Sequence, residues 1–199
     1  STGATSYDIN NDNGIKALTL VKDLVDAGSM SKEVINWTQG DVMNQFISGN
    51  IAMMVNGPWQ VPTMREQAPD LNWDVTLLPK DAEYASCLGG ENFGVIDGDN
   101  VDAALDFLQF ATSKDEVASY IDDFGYIAAR KDVAEGQFTD DETMQKFTEE
   151  MQYAQPRGPH AQWPEISDAL SLAVNESITG TSTPADAAAK AQSTIDGIL

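Results

Sequence analysis

The 199-residue chain is short of several residue types that carry chemistry. It has one cysteine, Cys87, and one histidine, His160. A lone cysteine excludes an internal disulfide, a CxxC redox pair and a cysteine-rich zinc site. Positive charge is scarce as well: 11 Lys and Arg stand against 32 Asp and Glu, a formal net charge of −21. Nucleic acid and anionic lipid both reward Lys and Arg, so the sequence excludes nucleic acid as a partner and argues against unassisted lipid binding. No apolar run approaches the ~20 residues of a membrane span. The opening STGATSYDINNDNG has neither the basic start nor the apolar stretch of a signal peptide, and the chain starts without Met, as a processed or truncated piece would.

What is present suffices for a folded protein. A chain of this length buries roughly 70% of its unfolded surface, and 42% of its residues are apolar. The acids, 21 of them Asp, are scattered, which reads as a solvated, repulsive surface rather than an acidic tail.

Periodicity gives the order of elements. Ile15, Leu18, Val21, Leu24 and Val25 recur at helical spacing over 13–28, with Gly28 as the stop. A shorter helix is expected at 41–48, ending at Gly49. The apolar run 51–55 and the segment 74–78 read as buried strands, with Pro58 opening a helix between them. Residues 79–92 read as a loop and 92–96 as a short strand. Helices are expected at 101–111, from the capping box Ser113–Glu116 to about 124, and from a second box, Thr139–Glu142, to about 154. Residues 126–129 read as extended and 155–160 as a loop. Pro164 opens a helix stopped by Gly180, and Thr183-Pro184 starts the last one. Strands alternating with helices predict an α/β architecture.

Catalytic chemistry finds no convergent set of residues. His160 is the only imidazole for a triad, and no G-x-S-x-G elbow exists. Cys87 as a nucleophile would need that same base. Carboxylate pairs are always findable among 32 acids and carry little information. Gly89-Gly90 followed by Glu91 is a poor anion nest. Asp8-Ile-Asn-Asn-Asp-Asn-Gly14 begins like a calcium loop, but its Gly falls one place late and Thr19 stands where a bidentate Glu is needed. A polar turn capping the first helix accounts for it better. The sequence therefore names no catalytic residue, metal site or cofactor.

Two of the four Trp occupy informative places. Trp59 follows Asn56-Gly57-Pro58 in the first turn of a helix, and Trp163 adjoins the His160 loop and Pro164. Ligands of α/β folds collect where strand ends meet helix starts, and an indole there can lie against the C–H face of a sugar. By position alone, packing between helix and sheet accounts for both slightly better. Trp37 and Trp73 read as packing residues.

The run Phe46-Ile-Ser-Gly49-Asn-Ile-Ala52-Met53-Met-Val-Asn56-Gly57-Pro58-Trp59 resembles the F-x-x-G-x-x-A-M-x-x-x-G-x-W core of bacterial ABC-transporter solute-binding proteins, in the sugar-binding group that includes maltose-binding protein. Later features follow in the same order: the Leu-Pro ending at Pro79, the Gly89-Gly90 loop, the helix Ala104 to Ser113, the turn Gly125 to Arg130 with Ala128 for the usual Pro, and the two last helices. Each motif is weak, and the ordered set is specific.

The resemblance implies a periplasmic-binding-protein-like α/β fold, mainly its second, C-terminal lobe. Residues 1–88 and 135–199 would build that lobe, and 89–134 would cross over to an incomplete N-terminal lobe. It implies a non-enzymatic carbohydrate-binding component of an ABC importer, for an oligosaccharide, capturing the sugar by hinge closure and delivering it to a membrane permease. It implies an extracellular place, lipid-anchored or periplasmic. Ligand contacts would come from Trp59, Asn56, Glu91 and Asn92, with Arg130, His160 and Trp163 on further matching segments. The surface of Phe93 to Ile96 and of Leu105, Phe107, Leu108 and Phe110 would lack its usual cover, so self-association of the chain is expected. The alternatives are a non-sugar solute within the same fold, a glycosidase, and an adhesive surface module.

Overall fold

A computed structural model describes residues 6–199. The chain divides into two compact units, one made of the described residues through Thr38 together with Arg157–Leu199, the other of Gln39–Pro156.

The first unit is a helical packing of α1 (Asp12–Asp26), α8 (Trp163–Thr179) and α9 (Pro184–Asp196), with a 3-10 turn at Lys32–Asn36. Asn11 caps α1 by accepting from the Gly14 N–H at 2.9 Å, so the polar run 8–14 acts as a turn and cap. Gly14 is required there because a Cβ would lie 2.0 Å from the Ile9 carbonyl oxygen. Pro164 sits in the first turn of α8, and Gly180 ends it in the left-handed region at φ 76°. Thr183 caps α9 by accepting from the Asp186 N–H. Alanines 169, 173, 187, 188 and 191 are buried and let the helix backbones approach closely, with Leu18, Ile166 and Ile195 filling the space between. Ile166 and Ile195 are fully buried, each stabilising by about 1.5–3 kcal/mol relative to exposure.

The second unit contains α2 (Gln39–Ile47), α3 (Gln60–Gln67), β1 (Ser86–Leu88), α4 (Val101–Ala111), α5 (Lys114–Tyr120), α6 (Lys131–Ala134), α7 (Glu142–Glu150) and β2 (Ala154–Pro156). Met43, Val61, Met64 and Met144 are buried, as are Val117, Ala128 and Val133, which cluster with Tyr120 and Ile121. Arg65, in the last turn of α3, makes a bidentate pair with Asp141, the N-cap of α7, at 2.7 and 2.9 Å. This contact holds α3, and with it the Trp59 corner, to α7.

Helix expectations carry over with shifts of one to three residues at most starts and ends. The first capping box places Ser113 at the cap of α5, but its side chain makes no capping bond. In the second box the cap is Asp141, accepting from the Met144 N–H, rather than Thr139, and α7 ends at Glu150 before a 3-10 turn at Met151–Tyr153. Pro58 precedes α3 by two residues instead of opening it.

The strands differ more. Segments 51–55, 74–78 and 92–96 form no ladder, and they are not buried cores: Met53 is 85% exposed and Ile96 92%. Among the described residues the one ladder is parallel, Ser86 to Ala154 through Leu88 to Pro156, in segments expected as loop or helix end. An apolar run becomes a buried strand only with neighbours on both edges and both faces, and here those neighbours are missing for all three segments. Helix α4 has the expected range, yet none of its residues is buried.

Candidate functional site

Trp59 is the N-cap residue of α3, half-buried after the turn Asn56-Gly57-Pro58. Its indole folds back over Gly57, where an added Cβ would come within 2.1 Å of the ring. Gly57 thus leaves the space in which the indole lies. Beside it stands Tyr126, ring centroids 6.1 Å apart and planes inclined at 50°. Tyr126 reaches Trp59 because Gly125 docks tightly: it has φ 66°, and a Cβ there would lie 2.8 Å from both the Pro58 carbonyl oxygen and Pro62 Cδ. Only glycine meets both the left-handed backbone and that approach.

A carboxylate completes the corner. The Tyr126 hydroxyl donates to Glu91 Oε1 at 3.4 Å, a long bond. Burial of Tyr126 and then the Glu91 charge raise the phenol above its ordinary pKa, so it stays a neutral donor at physiological pH. Trp59, Tyr126 and Glu91 therefore present two half-buried aromatic rings edged by a hydroxyl and an exposed carboxylate. Flat apolar faces with polar groups at the edge suit a ligand whose C–H faces alternate with hydroxyls.

Of the other expected residues, Asn92 neighbours Glu91 in sequence, Asn56 and Arg130 hold turns, and His160 and Trp163 belong to the first unit. Asn92 is exposed next to Glu91. Asn56 donates to the Gln39 carbonyl at 2.9 Å and accepts from the Gly57 N–H at 3.0 Å, which shapes the turn that presents Trp59. Arg130 bonds Asp132 through Nε and Nη2 and the Thr112 carbonyl through Nη1. The bonds between Arg130 and Asp132 raise the Arg130 pKa and lower that of Asp132, and together with the Thr112 bond they commit all three guanidinium nitrogens to holding the turn. His160 and Trp163 belong to the first unit. His160 Nδ1 accepts from the Gln162 N–H at 3.1 Å. Trp163 packs on the Ile166, Ala169 and Ile195 cluster, 6.2 Å from the Tyr7 ring, and Tyr7 donates to the Gly158 carbonyl.

Sequence reasoning missed Tyr126 and its neighbour Phe124, 57% exposed. The available signal was a glycine flanked by two aromatic residues. Among the described residues no group of three or more His, Cys, Asp or Glu is arranged to hold a metal ion, and no helix is long and apolar enough to cross a membrane.

Residues 2–146 match the model of the bacterial extracellular solute-binding proteins. The chain belongs to that family. This solute-binding protein is 28% identical over 185 residues to a binding protein of Brucella abortus, across 89% of this chain and 45% of the relative. Among solved structures it resembles an ABC-transporter solute-binding protein of Thermotoga lettingae bound with α-D-tagatose, at TM-score 0.81 and 27% identity, covering 96% of this chain and 50% of that one. It also resembles maltose-bound MalE3 of T. maritima, at TM-score 0.80 and 22% identity over 100% and 54% of the two chains. A third likeness is MalX of Streptococcus pneumoniae in complex with maltopentaose, at TM-score 0.79 and 19% identity over 96% and 52%. These likenesses establish the α/β, periplasmic-binding-protein-like fold. The chain spans about half the length of the relatives it matches.

Proposed function

We propose that the protein carrying this chain is the carbohydrate-binding component of an ABC importer, with an oligosaccharide as its ligand and no catalytic step. The observation that carries this reading is the corner of Trp59, Tyr126 and Glu91, half-buried aromatic faces beside a hydrogen-bonding carboxylate. The tagatose-bound relative supports the sugar class. Asn56 and Arg130 serve this corner indirectly, by fixing its turns, while Asn92 is placed to add a side-chain amide. His160 and Trp163 are a second group of candidate contacts.

Lobe closure on the sugar and delivery to a permease follow from family membership and describe the whole protein. Closure requires tighter sugar binding in the closed than in the open state. We read 1–88 with 135–199 as most of one lobe and 89–134 as the crossover to the other. The chain self-associates through the exposed apolar residues of 93–110. The place of action is outside the cytoplasmic membrane, lipid-anchored or periplasmic.

A thermal-shift series with mono- and oligosaccharides on the chain and on Trp59→Ala tests the reading. Ligand that binds only the native state raises the melting temperature by mass action. A saccharide-dependent rise that disappears in the variant is the expected result. Equal shifts in both proteins would remove Trp59 from the site. Release of a chromogenic aglycone from a glycoside would replace the binder with a glycosidase.

A further inference from the structure

The turn that carries Tyr126 is held by one side chain from outside it. Gln137, half-buried between α6 and α7, donates from Nε2 to the Asp122 carboxylate at 2.6 Å and to the Tyr126 carbonyl at 3.1 Å. Its Oε1 accepts from the Ala128 N–H at 2.7 Å. One amide thus bridges both ends of the segment 122–128, with Gly125 and Tyr126 between them. The amide fits in one orientation only, because turned over its oxygen would face a carboxylate and a carbonyl.

Gln137 is itself braced. Phe138 follows it at φ 56°, in the left-handed region that a bulky residue seldom occupies. Backbone of that kind persists only where its surroundings impose it. Here the side-chain amide of Gln145, on α7, donates to the Phe138 and Thr139 carbonyls at 3.0 and 2.7 Å. Arg65 ties the start of α7 to α3, and Gly125 rests on Pro58 and Pro62 at the start of α3. The contacts therefore close a circuit: α3 to α7, α7 to the backbone of 138–139, Gln137 to the 122–128 turn, and that turn back to α3. Gly125 permits Tyr126 to approach Trp59, but a glycine is equally free to leave its left-handed conformation. The bonds of Gln137 reach residues on both sides of that glycine and keep the turn from opening.

We propose that Gln137 is a positioning residue of the binding corner, its amide fixing the 122–128 turn so that Tyr126 stands beside Trp59 before ligand arrives. This rests on the carbohydrate reading above and gives a role to a residue outside the corner itself. A ring ordered in advance spares binding the cost of ordering it. Loss of the amide lets Tyr126 leave Trp59, and the sugar must then restore the contact at the expense of affinity.

Two measurements on the chain, together with any flanking sequence its gene encodes, test this. One is the set of nuclear Overhauser contacts between the Trp59 and Tyr126 rings. The other is calorimetric titration with D-tagatose, maltose and maltopentaose, the sugars bound by the structural relatives. Gln137→Met keeps the length without the amide. It should lose the ring contacts and weaken the sugars that the unaltered protein binds by about two- to tenfold, the range of one side chain ordered on binding. Gln137→Glu keeps the acceptor for Ala128 but sets a carboxylate against that of Asp122, and should weaken binding similarly. Adding Asp122→Asn, whose amide can donate to the new carboxylate, should recover part of the loss.

A double-mutant cycle separates positioning from plain stability. In a Tyr126→Ala background Gln137→Met should lower the melting temperature as before and cost no further affinity, because no ring is left to position. Equal affinity losses in both backgrounds would overturn the proposal, as would ring contacts and affinity unchanged in Gln137→Met. Asp122→Ala removes one bond of the three and gives the same test at smaller amplitude should Gln137→Met fail to fold. Absence of binding of all three sugars by the unaltered protein would count against the carbohydrate reading alone, and the ring contacts would still decide whether Gln137 holds Tyr126.

Discussion

Leu18, Ile166, Ile195 and five alanines of the first unit lie buried among α1, α8 and α9, while the second unit carries Met53, Val55, Phe93 and Ile96 on its surface. Both units were assembled from similarly apolar sequence. The helices of the first satisfy their own backbones and need only one another's apolar stripes. The apolar segments 51–55, 74–78 and 92–96 of the second would need strands alongside to be buried as strands, because a strand's backbone groups and two faces are completed only by neighbours. The helical packing of the first unit thus buries its apolar stripes, whereas segments 51–55, 74–78 and 92–96 of the second stay outside any ladder.

The sharpest test substitutes one isoleucine in each unit. Ile195→Ala, at a fully buried position, should cost about 2–5 kcal/mol in urea unfolding. Ile96→Ala, at an exposed one, should stay within about 0.5 kcal/mol. Equal losses would mean that 92–96 is packed in solution. Next in size is Gly125→Ala. It places a Cβ 2.8 Å from Pro58 and Pro62 atoms at φ 66° and should cost about 1–3 kcal/mol. It should also alter tryptophan fluorescence as Tyr126 withdraws from Trp59.

Asp141→Ala removes a helix cap and the partner of Arg65, a loss of about 0.5–2 kcal/mol at neutral pH. The hydrogen bonds from Arg65 depress the Asp141 pKa in the folded state. The unfolded chain therefore binds more protons between the two pKa values, and stability falls as pH falls. The contribution is complete above the ordinary Asp value of about 3.9 and is lost through the depressed one. Acid titration of unfolding should show a shallower acid limb in the variant. The smallest change is expected at Phe107→Ser, on the exposed face of α4, within about 0.5 kcal/mol of the parent in stability. Its effect should appear instead as less self-association in sedimentation of the chain.

Helix positions were largely legible because their signals are local: Asn11, Thr183 and Gly180 cap or stop their helices through residues within one turn. The Trp59 corner was partly legible. Its turn and helix start could be read from Asn56-Gly57-Pro58, and Glu91 was a named candidate. Tyr126 was not, since its approach to Trp59 depends on Gly125 meeting Pro58 and Pro62, residues distant in sequence.

By itself the sequence determined the order of helices, their caps and stops, the excess of negative charge and the collinear motifs of a solute-binding family. Those features depend on neighbours along the chain or on composition. Tertiary structure decided which apolar runs are buried, that a parallel ladder joins 86–88 to 154–156, and that Tyr126 meets Trp59. Each of these needs a partner far along the chain, and residue spacing alone does not encode which distant surface will meet it.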